Sequence, residues 1–358
     1  MREIGSEFWD VPVTHVKNGL FHDDTQWYLS GRSALRAIVR DIKKRHLSIS
    51  QKYTVSLPSW CCDTMIVPFL EEGMEVHFYP VWWDNNDHDL RVSLDLNCDV
   101  LLLIEYFGYT QKMPEVTKYK GVVIRDVTHS LFSRDYSDAD YLYGSLRKWC
   151  GLYTGGYAWT KDGHSLSEGV TDKTGYIELR DKAMRLKQNY INRKDIEIEG
   201  GRKGANNTSV EKTYLLYFAQ AEECLEKADV ACGLDRDIQL ANYMDVELIR
   251  KKRRSNVEIL RKGLQKWAMF SNYSEDDCPM FFPIMIPEGK RDELKKWLIK
   301  EGIYCPVHWP LSCYHRMIDS VNVKNIYENE LSIVCDQRYS DVDMNRIVIT
   351  IEDFWKEQ

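Results

Sequence analysis

In the stretch 143-YGSLRKWCGLYTGGYAWT-160, Lys148 follows an apolar, strand-like run and precedes a Tyr-Thr-Gly-Gly turn, with Ser145 three residues before it. A lysine amine held at such a place can attack a carbonyl group; left in water it is only a surface charge. Other polar residues stand at comparable points. Asp126 ends the apolar run in 121-GVVIRDVTH-129, with Thr128 and His129 just beyond it. Ser59 and Trp60 follow 53-YTVSLP-58, and Gly31-Arg32-Ser33 open a helical pattern whose free N–H groups suit a phosphate. Each residue also has a plainer reading. A glycine-serine helix start is commonly a cap, Asp126 a turn residue, His129 a satisfied interior histidine and Trp60 core or interface.

The elements that must position these residues are legible as patterns. The runs 98-CDVLLLIEYFG-108 and 121-GVVIRDVTH-129 are nearly continuous apolar stretches ending in polar residues, the mark of strands buried on both faces. Further strands are expected at 53-YTVSLP-58, 75-EVHFYPV-81 and 140-DYLYGSL-146, with 156-GYAWT-160 returning antiparallel to the last. Helical spacing marks 30-SGRSALRAIVRDIKKR-45, 63-DTMIVPFLEEG-73, 209-SVEKTYLLYFAQAEECLEKA-228 and 245-DVELIRKKRRSNVEILRKGLQKW-267. Beyond these lie an expected strand at 280-MFFPIMI-286, a helix at 290-KRDELKKWLIKEG-302 and a strand at 346-RIVITI-351. This gives an α/β fold with a large domain over 1–240, including an N-terminal arm, and a small α+β domain over 241–358. In open α/β sheets ligands sit outside the carboxyl ends of the strands, where Asp126, Ser145 and Lys148 fall.

Composition narrows the function. The chain has 358 residues and a formal net charge of −7, which argues against a nucleic-acid surface. Its one basic cluster, 250-RKKRRSN-256, reads as a solvated helix face. The ten cysteines include no C-x-x-C pair, and Cys61-Cys62 are vicinal, poorly placed for ordinary bridging. MREIGSEFWD lacks an apolar h-region, and no apolar run approaches about 18 residues. The expectation is a cytoplasmic protein with reduced thiols, no membrane partner and no metal.

A phosphate cradle, a flat aromatic, a carboxylate on a buried strand and a lysine, in that chain order, are the set that pyridoxal 5′-phosphate requires. Its phosphate needs helix-start amides, its ring an aromatic to stack on, its pyridine nitrogen a carboxylate and its aldehyde an amine. The segments 30-SGRSAL-35, 58-PSWCCDT-64, 104-IEYFGY-109, 124-IRDVTHSL-131 and 145-SLRKWCGLYTGG-156 resemble, in order, the fold-type I aminotransferases. Among these the sequence is similar to the DegT/StrS family of nucleotide-sugar aminotransferases, with weaker likeness at 304-YCPVHWP-310 and 334-VCDQRY-339.

The resemblance implies a mainly parallel seven-stranded sheet flanked by helices. It makes Lys148 the lysine that condenses with the cofactor, Asp126 the pyridinium partner and His129 a histidine packed near the ring. Trp60 is then the stacking aromatic, and Gly31, Arg32, Ser33 and Ser145 bind the phosphate. Two features depart from the family: its common His-Pro-Thr insert is missing between Ser145 and Lys148, and Arg32 replaces a small residue. The implied reaction is transfer of an amino group from glutamate or glutamine to a keto sugar linked to a nucleotide; the alternatives are another fold-type I enzyme (lyase or dehydratase) or a non-catalytic, regulatory binder of the cofactor. A homodimer is implied as well, with Arg202, Lys203 and Asn207 of 200-GGRKGANNTS-209 reaching toward the neighbouring site.

Overall fold

The computed structural model describes residues 2–45, 52–111, 113–133, 138–199, 208–311, 313–314 and 321–357. A short β1 (Ile4–Gly5) precedes β2 (Gln26–Tyr28), α1 (Gly31–Arg45), β3 (Thr54–Pro58), α2 (Asp63–Glu71) and β4 (Glu75–Tyr79). The hairpin β5 (Val81–Asp84) and β6 (Asp89–Val92) is followed by β7 (Val100–Ile104), β8 (Val122–Asp126), β9 (Tyr141–Ser145) and β10 (Gly156–Thr160). The second half begins with α3 (Tyr176–Glu199), α4 (Thr208–Lys227), α5 (Asp235–Asn242) and α6 (Val246–Leu264). It ends with β11 (Phe282–Met285), α7 (Arg291–Lys300), β12 (Ile303–Tyr304), α8 (Val321–Asn329), β13 (Glu330–Ile333) and α9 (Asp341–Lys356).

Seven strands form the central sheet in the order β2-β10-β9-β8-β7-β3-β4. The five strands from β9 to β4 pair in parallel, and β10 runs antiparallel to both β9 and β2. Every residue of β7 and β8 is buried, which explains why their sequences are apolar without alternation. The sole charged pair in that run, Arg125-Asp126, is divided by the pleat, because successive side chains leave a strand on opposite faces. Arg125 is clamped on its face by Glu105 at 2.6 Å and Asp138 at 2.6 Å. This pair fixes the strand end on which Asp126 stands. Arg125→Met is expected to cost about 3–5 kcal/mol, because Glu105 then stays buried without that cation. Denaturant midpoints check it, and a loss below about 1 kcal/mol would show that Glu105 does not depend on Arg125.

A second apolar core gathers Val257, Leu260 and Leu264 of α6, Ile284 of β11, Leu331 and Ile333 of β13, and the inner face of α9. The N-terminal arm joins this core: β1 pairs with β12, and Ile4 is fully buried there. The strand expected at 346–351 is instead the middle of α9. Ser340 and Asp343 form a reciprocal capping box at its start. Met344, Ile347, Ile351 and Phe354 then lie buried on one face at helical spacing, while Ile349 is exposed. The β-branched run is thus read with the period of a helix.

The basic cluster also differs from a simple solvated face. Lys251 and Lys252 are exposed, but Arg253 is fully buried and donates to the carbonyls of Pro279 and Met280. Arg254 binds the carbonyls of Ser274, Glu275 and Asp277. These arginines hold the 274–280 segment against α6. No helix among the described residues is long and apolar enough to cross a membrane, and all ten cysteines are free thiols.

Candidate active site

Lys148 sits at the end of the short turn that leaves β9, and its neighbours hold it from both sides. The Arg147 guanidinium bonds the Tyr176 hydroxyl at 2.5 Å and Glu222 at 3.0 Å. Trp149 is fully buried, donating from Nε1 to the Thr128 carbonyl at 2.6 Å. The backbone is therefore fixed while the Lys148 side chain stays exposed, and no described residue takes its amine in a hydrogen bond or ion pair. The amine opens into a cavity of about 660 Å³, walled by Glu7 of the arm, Arg180 of α3, Glu222 of α4 and His308. Burial opposes the Glu222 charge, yet Arg147, with Lys148 and Arg180, holds its carboxyl down at about 2. Glu7 pairs with the buried Arg180 at 3.1 Å. These groups give the cavity strong, largely paired charge of both signs.

Asp126 is buried at the carboxyl end of β8, and the Thr128 amide donates to Oδ1 at 2.8 Å. Tyr143 stands opposite it in the β8–β9 register and acts on the carboxylate from that side. Burial raises the Asp126 carboxyl above its ordinary range, against the Thr128 bond and the influence of the nearby Tyr143 hydroxyl. A cation brought to this carboxylate would reverse that penalty. His129 lies buried with Nδ1 lacking a partner; burial first, then Lys148, lowers its imidazole to about 3.

The start of α1 lies beside the end of β9 because two glycines permit it. A Cβ on Gly156 would fall 2.0 Å from the Ser30 carbonyl oxygen, and one on Gly31 would stand 3.3 Å from the Ser145 Cβ. The Ser145 hydroxyl makes no hydrogen bond with a described residue. Arg32 carries a buried Nε without a partner, and its charge is felt by the same Glu222 and Cys62 that feel Lys148. Ser33 behaves differently from its neighbours. Its amide is taken by Ser30 Oγ at 3.2 Å and its hydroxyl donates to the Asp229 carbonyl at 2.9 Å, so both groups serve the helix start. The open amides of the first turn are those of Gly31 and Arg32.

Trp60 is fully buried, stacked on Tyr106 at 4.7 Å and donating from Nε1 to the His308 carbonyl at 2.8 Å. Trp309 lies edge-on to Trp60 at 5.6 Å and flat against His129 at 5.4 Å. Its indole occupies the space between the two residues that the sequence reading set around a cofactor ring.

The structure thus brings Asp126, His129, Ser145, Lys148, Gly31 and Arg32 to one end of the sheet, with Trp60 behind Trp309. Asn207, Arg202 and Lys203 lie outside the described residues. Sequence reasoning did not single out Glu7, Arg147, Arg180, Glu222 or His308. His308 had a signal in 304-YCPVHWP-310 and Arg147 stands beside Lys148 in 145-SLRKWCGLYTGG-156; Glu7, Arg180 and Glu222 reach the cavity from the arm, α3 and α4.

No family model matches this sequence, and no curated protein does. Solved structures do share its fold. A DegT DnrJ EryC1 StrS aminotransferase from Brucella abortus has a TM-score of 0.57 at 15% identity, covering 92% of this chain and 85% of its own. The sugar aminotransferase CalS13 from Micromonospora echinospora has a TM-score of 0.58 at 13% identity, with 92% and 87% covered. NtdA from Bacillus subtilis, with bound cofactor PMP, has a TM-score of 0.58 at 12% identity, with 92% and 73% covered. At such identities the likeness is one of fold: this chain is built on the α/β architecture of these aminotransferases.

Proposed function

We propose that this chain is a pyridoxal 5′-phosphate-dependent aminotransferase acting on a keto sugar, one linked to a nucleotide, with glutamate or glutamine as amino donor. The observation that carries the reading is the pairing of a partnerless amine, Lys148, with a buried carboxylate, Asp126, at the carboxyl ends of adjacent strands. The likeness in fold to the sugar aminotransferase CalS13, and to NtdA with its bound PMP, supports it.

The residues present suit the cofactor. Asp126 offers a desolvated carboxylate to a protonated ring nitrogen, and the unpartnered His129 Nδ1 offers a polar contact beside it. The Gly31 and Arg32 amides, the Ser145 hydroxyl and the Arg32 guanidinium make a set of donors for a phosphate. When bound, the group supplies an electron sink for the carbanion left by proton removal. The protein does the rest. Lys148 would hold the cofactor through its amine and, when that amine is free, would take and return the proton of the amino substrate. Asp126 keeps the ring nitrogen cationic. Arg180 and Arg147 give an acidic donor or a phosphorylated acceptor a cationic wall, in exchange for their present partners Glu7 and Glu222.

The ten free thiols suit the reducing cytoplasm. We also propose a homodimer in which Asn207 reaches the neighbouring site. Subunit mixing tests it: inactive Lys148→Ala chains combined with chains altered at Asn207 should regain activity, and sedimentation as a monomer removes the idea.

The experiment for the reaction is spectroscopic. Protein purified with the cofactor should be yellow, and glutamate should shift its visible band as the amine is passed to the enzyme. A protein that binds the cofactor but shows no shift with any amino acid is a binder, not a transaminase. Screening keto-sugar nucleotides for amine uptake then identifies the acceptor.

A further inference from the structure

Along β13 the pleat sends Leu331 and Ile333 into the second core, and so turns Glu330 and Ser332 together to the other face. Both are fully buried, and His308 closes over them. The His308 backbone N–H donates to Glu330 Oε2 at 2.7 Å, His308 Nδ1 meets Ser332 Oγ at 2.8 Å, and the Ser332 hydroxyl bonds Glu330 Oε1. Ring Nε2 makes no hydrogen bond with a described residue, and His308 lines the cavity into which Lys148 opens.

We propose that Glu330, Ser332 and His308 form a proton relay into the Lys148 cavity, which sets whether His308 presents Nε2 as an acceptor or as a donor. A serine hydroxyl has a single proton, so two arrangements satisfy every bond. With Glu330 ionised, Ser332 donates to Oε1 and accepts from Nδ1–H, leaving a lone pair on Nε2. With Glu330 protonated on Oε1, that proton goes to Ser332 Oγ, Ser332 donates to Nδ1, and Nε2 carries the hydrogen. Passage between them balances. A ligand gives a proton to Nε2, Nδ1 releases one to Ser332 Oγ, and Ser332 releases one to Glu330. One proton has moved from ligand to carboxylate, and no other covalent bond has changed.

The surroundings place this exchange in a useful range. Burial raises the Glu330 carboxyl to about 8, against the Ser332 and His308 bonds and the charges of Arg291 and Lys295 on α7. Burial, then His129 and Lys148, keeps the His308 ring neutral, so its tautomer changes and not its net charge. Its other ring neighbours, Phe107, Phe281 and Trp309, carry no charge. The relay does not depend on the transaminase reading.

Full-length protein labelled with ¹⁵N-histidine tests it, the His308 signals being those lost in His308→Gln. Between about pH 6 and about pH 9 the ring should pass from the Nε2–H to the Nδ1–H tautomer as Glu330 ionises. The midpoint is expected near the Glu330 value of about 8. Glu330→Gln, whose amide donates to Ser332 permanently, should hold the Nε2–H form throughout, and Ser332→Ala should abolish the transition. A single tautomer across the range in the unaltered protein, or a transition that survives Ser332→Ala, overturns the relay. An enzyme inactive as a transaminase would leave these signals unchanged, so the two readings fail separately.

Discussion

Lys148→Ala is expected to lose turnover by on the order of 10²–10⁴-fold, the usual contribution of a positioned acid–base group, while still binding the cofactor. The amine has no structural partner among the described residues, so its removal breaks no hydrogen bond and opens no cavity in the core. Stability should therefore be unchanged within about 0.5 kcal/mol, as for ordinary surface substitutions. Borohydride reduction of the unaltered protein should fix the cofactor to the peptide carrying Lys148, and the alanine variant should yield no such peptide. Finding the label on another lysine would remove Lys148 from the reaction and leave it a surface charge.

Asp126→Asn should bind the cofactor yet lose activity by on the order of 10²-fold or more, as when a preorganised charge is removed from a reacting centre. The amide fits the same space and can still accept from Thr128, so the strand end is preserved. What it lacks is the negative charge that keeps a ring nitrogen protonated. Because burial already disfavours the Asp126 charge, the neutral variant should fold at least as stably as the parent. That separates the two roles: a loss of kcat at constant stability belongs to the charge. Near-normal turnover would make Asp126 merely the residue that ends β8.

The parts of this protein that could be read from sequence are those set by local pattern. The runs around Leu101–Leu103 and Val122–Ile124 announced doubly covered strands, and Asp126 and Lys148 were conspicuous because each broke or ended such a run. Residues 346–351 misled because Ile and Val satisfy either period; Ser340 and Asp343, which decide for a helix, stand outside that run. The hairpin of β5 and β6 was missed, since 81-VWWDNNDHDLRV-92 is broken by six polar residues in succession. The cavity wall is legible only in three dimensions. Glu7 and Arg180 are separated by 173 positions and meet because the arm crosses α3. Trp309 could not have been placed on His129 from any spacing.

The arm carries a consequence for the order in which the molecule is made. Ile4 and Gly5 pair with Ile303 and Tyr304, and the Tyr339 hydroxyl bonds both the amide and the carbonyl of Gly5. A chain leaving the ribosome exposes this strand long before its partners in β12. The sheet bearing Asp126 and Lys148 can form while residues 4–8 still have nothing to dock on. The arm that carries Glu7 to Arg180 is then anchored only after β12 and Tyr339 have folded. Nascent protein consequently passes through a stage with the lysine in place and one wall of its cavity absent, and that wall closes only after β12 and Tyr339 have emerged.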